Sequence, residues 1–431
     1  MRINVGLLVL AVVVVVTLFS QSNTSTQAAN TISATYEVIN IGGTTDGLPP
    51  NASAGTNANT KYVSADGNVV LFTSLATNLP NATNRSGLYA YNIKENNVVR
   101  VDVSTSGIPS NFVLTSGMTL SETGRYVTFA SRGTNLIDGT TTPSNDIGVY
   151  QRDIQTGTTV SLFSRGGSST SSSSWDRHLG VSNDGRFTLF ASRYVQNSYP
   201  YPYNVVYADN KTGTPAWTTV GIGNDGESNP GASGYTDIDG QMSCDGSLVA
   251  YQHQGTIRLL DVRNNSSSDI SLASASSINP VISCNGRYIL YTTINRTDIT
   301  PTPTGMNAKF HLVRYDRITG LRSYIDSNSS GVFSPSVSEG PSLNANYFEA
   351  SVADTGDVVF LYKDNKFLKH LSDGSGTLEP IAKNISGATV KVLNGVISSD
   401  GRYIMFNADP YSLGLVSSPA GTQLIRVKTG L

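Results

Sequence analysis

One four-residue turn, a serine, any residue, aspartate and glycine in its fullest form, recurs seven times along the chain. It stands at Ser64–Gly67, Ser121–Gly124, Ser182–Gly185, Ser243–Gly246, Ser283–Gly286, Ala353–Gly356 and Ser398–Gly401. Each copy opens a short alternating apolar segment: "NVVLFTS", "RYVTFAS", "RFTLFAS", "SLVAYQH", "RYILYTT", "DVVFLYK" and "RYIMFNA". A dipeptide that tolerates positive φ between two alternating runs is the signature of a β-hairpin. The copies are spaced 57, 61, 61, 40, 70 and 45 residues apart. A repeat of that size has room for four short strands, and an array of such units predicts a propeller.

The remainder of each repeat fits that count. A third strand follows a connection ("LYAYNI", "IGVYQRDI", "NVVYAD", "TIRLLDV", "FHLVRYDRI", "KFLKHL", "QLIRVK"), and a short polar turn leads to a fourth. Fourth strands are found in six copies only, because the chain stops at "LIRVKTGL". A spare segment, "TYEVINIGG" from Thr35 to Gly43, precedes the first turn. The expected fold is all-β, a seven-bladed β-propeller of four-stranded antiparallel blades. The N-terminal strand is expected to join the last blade at Gln423–Lys428, so that no sheet edge is left open. A single propeller domain is expected over residues 33–431. Forty-one glycines in 431 residues suit a turn-dense β-protein of this kind.

The strings "VSADGNVVLFTSLATNL", "LSETGRYVTFASRGTNL" and "VYQRDIQTGTTVSL" resemble the TolB-type, WD40-like β-propeller repeat. The resemblance covers about residues 35–431 and is weakest in the sixth copy. It implies the propeller fold and says little about activity, since such propellers serve many roles. No segment fits the α/β domain that precedes the propeller in TolB, and no Gly-x-Ser-x-Gly elbow marks a hydrolase domain.

The repeated turn itself is read as architecture. Its serine hydroxyl can bond a nearby N–H, and its Asp and Gly accept the turn geometry. The arginines that follow it (Arg125, Arg186, Arg287 and Arg402) are expected to pair with strand aspartates such as Asp153 and Asp316.

Residues 1–29 are expected to be an export signal peptide, with an uncleaved N-terminal anchor as the alternative. Arg2 precedes an apolar run from Val5 to Phe19, and Ala28 and Ala29 are candidate cleavage points. The run is shorter than the ~20 residues of a spanning helix. Export implies a secreted, periplasmic or cell-surface protein, with membrane association only if the segment is retained. The compartment would permit a disulfide, and the chain has two cysteines, Cys244 and Cys284. Both occupy the second position of the turn, in consecutive repeats. A bond between them is expected if the turns lie close to the propeller axis.

The connections between second and third strands include several long ones, and binding residues concentrate on loops carried by a rigid scaffold. One candidate patch stands out: Tyr199, Tyr201 and Tyr203 in "SYPYPYN", with Trp175, Arg177 and His178 in the connection "SSSSWDRHLG". Aromatic rings on a stiff loop stack against glycans or proteins with little rotamer entropy to lose. The bland reading is tyrosines packed on their own blade.

His178, His253, His311 and His370 are isolated in sequence, without metal-ligand spacing, so no cofactor, metal or catalytic residue is predicted. A net charge of −2 supplies no surplus for phosphate neutralisation, which argues against nucleic-acid binding. The expected role is an exported, monomeric binding or scaffold module with a protein or glycan partner. The alternative is an extracellular carbohydrate-active enzyme resembling a polysaccharide lyase, with a site at the channel mouth. In that case histidines and carboxylates from different blades should converge on the axis.

Overall fold

A computed structural model describes residues 36–39, 41, 45–46, 50–52, 54–55, 62–112, 114–140, 148–164, 177–192, 204–210, 216–220, 240–253, 255–271, 277–293, 311–326, 350–362, 365–372, 374–392, 394–417 and 422–430. Every regular element among them is a β-strand, and the strands form seven four-stranded antiparallel sheets. Blade 1 comprises Ala54–Gly55, Val69–Ser74, Gly87–Asn92 and Asn97–Arg100. Blade 2 comprises Leu114–Leu120, Tyr126–Ser131, Gly148–Asp153 and Thr158–Ser164. Blade 3 comprises Arg177–Val181, Phe187–Ser192, Asn204–Asp209 and Ala216–Val220. Blade 4 comprises Gly240–Met242, Leu248–His253, Thr256–Asp261 and Ser266–Asp269. Blade 5 comprises Ser277–Ile282, Tyr288–Thr293, His311–Asp316 and Leu321–Tyr324. Blade 6 comprises Ser351–Val352, Val358–Tyr362, Asn365–Lys369 and Leu378–Pro380.

Blade 7 closes the ring. It comprises Val396–Ile397, Tyr403–Ala408 and Gln423–Lys428, and its fourth strand is Tyr36–Val38 from the other end of the chain. The pairing is antiparallel, with Tyr36 opposite Val427 and Val38 opposite Ile425. The expected seven-bladed, N-terminally closed architecture is therefore the observed one. First strands of neighbouring blades pack on one another, so they surround the axis. Apolar side chains fill the spaces between blades; between blades 2 and 3, for example, Val149 and Leu162 meet Phe190, Val206 and Ala208.

The recurring turn works as the sequence suggests. The Oγ of Ser182 accepts the N–H of Phe187 at 2.9 Å and donates to Asp184 at 2.6 Å. The carboxylate of Asp184 in turn accepts the N–H of Arg186 at 3.0 Å. The same set holds at Ser64, Ser243 and Ser398, and at Ser283 with the amide oxygen of Asn285 in place of the carboxylate. Burial pushes the Asp245 carboxyl up, but hydrogen bonds from Ser247 and Ser243 outweigh it and hold it below its ordinary value. Three of the arginines form the expected pairs, Arg125–Asp153 (2.7 Å), Arg186–Asp209 (2.6 Å) and Arg287–Asp316 (2.8 Å). Arg402 does not. Lys428 faces Tyr403 where the others have an aspartate, and Arg402 turns to its own Asp400 at 2.7 Å. In the divergent sixth copy the carboxylate changes strands. Asp357, standing where most copies have arginine, is buried and accepts the N–H groups of Leu371 and Ser372.

The turn glycines have two separate jobs. All seven adopt positive φ, between 69° and 94°. Six of them also lie against the second strand of the preceding blade, where an added Cβ would meet Tyr403 at Gly67, Val69 at Gly124, Tyr126 at Gly185, Phe187 at Gly246, Leu248 at Gly286 and Tyr288 at Gly356. Gly320 has the same φ of +72° with open space around it, which allows the two jobs to be separated. Gly320→Ala should cost about 1 kcal/mol, from backbone strain alone. Gly185→Ala should cost about 1–3 kcal/mol more, because the blades must part to admit the methyl group. Urea denaturation of the two variants measures the difference, and equal midpoints would remove the interblade contact from the explanation.

Candidate functional site

In each blade the first-to-second and third-to-fourth connections share one end of the propeller, here the turn face. The second-to-third connections and the links between blades share the other, the loop face. The two faces are built differently.

On the turn face the turns of successive blades are tied to one another around the axis. The N–H of Ala65 donates to the carbonyl of Glu122 at 2.9 Å, Asn183 to Cys244 at 2.7 Å, Cys244 to Cys284 at 2.9 Å and Asp354 to Ser399 at 2.8 Å. Asp400, one residue on, donates to Ala65 at 3.4 Å across the closure. These bonds run from blade to blade, so the repeated turn forms a girdle around the axis. A second set lies farther out. The Gly185 carbonyl accepts from Gln151, that of Gly246 from Tyr207, that of Gly356 from Arg314 and that of Gly67 from Arg426, each donor on the third strand of the preceding blade. Burial raises the Tyr207 phenol well above its ordinary range and lowers the Arg314 guanidinium. No motif marks these donors, since the same strand position carries glutamine, tyrosine or arginine from blade to blade.

Within the girdle the structure joins Cys244 to Cys284, with Cα atoms 4.7 Å apart. Glu122, from blade 2, comes to the same place. One of its carboxylate oxygens and the two sulfurs lie within 4.8 Å of one another. Glu122 and Cys244 are buried, and Cys284 is partly open. Cysteine spacing could not have revealed the glutamate, which is 122 residues from Cys244 in the chain.

The loop face is held by asparagines. In blade 2 the side-chain oxygen of Asn111 accepts the N–H of Thr134 at 3.0 Å, and its amide donates to the Thr134 hydroxyl at 2.8 Å. Asn135 returns the favour, accepting the N–H of Asn111 at 3.0 Å. Asn51, Thr77 and Asn78 repeat the arrangement in blade 1. The "TNL" loop is thus clamped to the link that enters its blade, and its leucines, Leu79 and Leu136, are buried. Exposed apolar side chains sit on the same face. Among the described residues nine large hydrophobic side chains are exposed, and Leu75, Ile108, Phe112, Ile385, Tyr411, Leu415 and Val416 belong to loop-face connections. They come from the links and loops of blades 6, 7, 1 and 2, which are neighbours across the closure. The other two are at the turn face of blade 5, Ile318 in the third-to-fourth connection and Leu321 at the start of the fourth strand.

The aromatic patch expected from the sequence is described only in part. Trp175, Tyr199, Tyr201 and Tyr203 lie outside the described residues. Arg177 and His178 are not in a connection. They begin the first strand of blade 3, opposite Ala191 and Phe190, with a bulge before Gly180. Only their backbone is described. The alternation of "RHLGV" across the bulge is broken by one residue, which hides the strand from a period-two reading.

Two of the histidines, His311 and His370, find carboxylates within their own blades. His311 Nδ1 lies 2.7 Å from Asp326 in blade 5, both groups buried, and burial pushes the Asp326 carboxyl up against the lowering effect of the histidine. His370 Nε2 lies 3.3 Å from Glu379 in blade 6, and Glu379 also pairs with Lys383 at 2.6 Å. His253 is buried at the loop-face end of its strand.

No family model matches the sequence, and no curated protein does. Among solved structures, TolB from Acinetobacter baumannii aligns at 15% identity over 64% of this chain and 54% of that one, with a TM-score of 0.34. This chain therefore spans about half the length of that protein. A putative TolB from Agrobacterium tumefaciens aligns at 15% identity over 64% and 81% of the two chains, with a TM-score of 0.35. U3-55K aligns at 10% identity over 92% and 99%, with a TM-score of 0.46. At such values the likeness carries no argument about this chain, and the propeller assignment rests on its own strand pairing.

Proposed function

We propose that this chain is an exported binding module that docks a protein partner on its loop face, across blades 6, 7, 1 and 2. The observation that carries the reading is the concentration there of exposed apolar side chains, Tyr411, Leu415, Val416 and Ile385 among them, on loops that their own turn hydrogen bonds hold in shape. Exposed apolar groups gathered on one face of a rigid scaffold are what a protein interface needs. The turn face supplies little of this, since its central residues are spent on the girdle. Buried histidine–carboxylate pairs confined to single blades give no support to a lyase-like centre at the axis.

The test compares faces. Tyr411→Asp with Leu415→Asp should reduce capture of a crosslinked partner from envelope extract at least tenfold, without lowering the melting temperature. Ile318→Asp with Leu321→Asp, on the turn face, should leave capture unchanged. Equal capture by both double variants would overturn the reading. So would a glycan-array signal that the loop-face variant retains, which would return the search to a sugar ligand.

A further inference from the structure

Three potential ligands from three blades meet at the turn-face end of the axis: the Glu122 carboxylate from blade 2, Cys244 from blade 4 and Cys284 from blade 5. Their ligand atoms lie within 4.8 Å of one another. What holds them there is backbone. The carbonyl of Glu122 accepts from Ala65, that of Cys244 from Asn183, and Cys244 N–H bonds directly to the Cys284 carbonyl. Each of the three positions is thus fixed by the girdle, apart from any bond between the sulfurs. Cutting the disulfide would release two side-chain torsions and leave the backbone ring in place.

We propose that reduction of the Cys244–Cys284 bond converts this cluster into a site for one thiophilic divalent cation, of the zinc or cadmium type. The inference is independent of the loop-face reading. A dithiol reductant attacks one sulfur, passes through a mixed disulfide and leaves as its own cyclic disulfide; two electrons and two protons reach the protein, which now carries two thiols. The cation then binds both sulfurs as thiolates, releasing those two protons to solvent. Glu122 supplies a carboxylate oxygen as the third ligand. Two sulfurs and one oxygen leave a fourth tetrahedral position for water. The pairing of ligand and metal follows from softness: thiolates select zinc and cadmium over magnesium or calcium. Charge points the same way. A buried carboxylate beside two forming thiolates repels them, and a dication at their centre relieves that repulsion. Cys284, the partly exposed member, gives reductant and cation their approach from the turn face.

The experiment uses the full chain. Oxidised protein, and protein reduced with a dithiol and freed of it by anaerobic gel filtration, are each titrated with cadmium alone. Thiolate-to-cadmium charge-transfer absorption is followed, and zinc and magnesium are then added as competitors. The reduced protein should bind one cadmium, displaced by zinc and not by magnesium, while the oxidised protein gives no band. Glu122→Gln should weaken binding at least tenfold, and Cys244→Ser should abolish the band. Circular dichroism of the reduced chain is recorded alongside. No band in the reduced protein would overturn the proposal. Binding that is unchanged in Glu122→Gln would overturn it too, since thiols in an unfolded or opened chain take cadmium without the glutamate.

Discussion

Removing Thr31 to Gly43 should lower stability by roughly 5 kcal/mol or more and make the protein self-associate. The lost segment carries the fourth strand of blade 7, and what it contributes can be named. Ile39 and Ile41 are buried, and burying an aliphatic side chain of that size is worth about 1.5–3 kcal/mol. Tyr36 packs edge-on against Phe406 with ring centroids 6.1 Å apart, and its hydroxyl accepts the N–H of Lys383 at 2.6 Å. Glu37 pairs with Arg426 at 2.6 Å; Arg426 also holds the carbonyl of Gly67 in blade 1. The strand therefore ties blade 7 to blades 6 and 1 as well as completing its own sheet. Without it the strand Gln423–Lys428 becomes a bare edge, ready to pair with another chain. Thermal denaturation with light scattering measures both effects. Adding a peptide of residues 31–43 should restore much of the loss. A deletion variant that melts with the parent and scatters no more light than it would show that the ring closes by other means.

Replacing Lys369 with methionine should stabilise the protein by roughly 3 kcal/mol at neutral pH, with the gain disappearing in alkali. Lys369 ends the third strand of blade 6 and is 4% exposed. Burial lowers its pKa to about 8 from an ordinary 10.5, against a smaller raising effect of Asp326. The sign follows from proton counting. Between about 8 and 10.5 the unfolded chain holds a proton on this lysine that the folded chain lacks, so stability rises with pH across that window. Below about 8 the folded protein bears the full cost of a buried ammonium, at about 1.4 kcal/mol for each tenfold loss of proton affinity. Urea midpoints of parent and Lys369→Met, taken from pH 7 to pH 10.5, should converge as pH rises. A difference that stays constant would mean that the methionine acts through packing alone.

Much of this was legible in the sequence because it depends on neighbours in the chain. The Ser–Asp–Gly turn satisfies its own hydrogen bonds within about six residues, as Ser182, Asp184 and Phe187 show. Period-two alternation then gives the strands, and their spacing gives seven blades. Even the closure could be read, since one missing strand and one spare strand have a single tidy solution. The pairing of Arg125, Arg186 and Arg287 was legible for the same reason: adjacent strands of a hairpin put residues opposite one another at predictable steps. Arg402 escaped because the matching position in blade 7 is Lys428, a substitution of one residue that redirects its neighbour to Asp400.

What the tertiary structure decided are the contacts between blades. The box glycines look like turn residues in sequence, but their second function, admitting Tyr126 at Gly185 or Tyr403 at Gly67, belongs to the adjoining blade. Gln151, Tyr207, Arg314 and Arg426 do one job with three chemistries, so no motif marks them. Glu122 meets Cys244 and Cys284 because of how closely the turns approach the axis. Hydrogen bonding inside a turn is fixed by a few dihedral angles of neighbouring residues. The radius of a seven-membered ring is fixed by how all seven blades pack, and that is a property no single repeat contains.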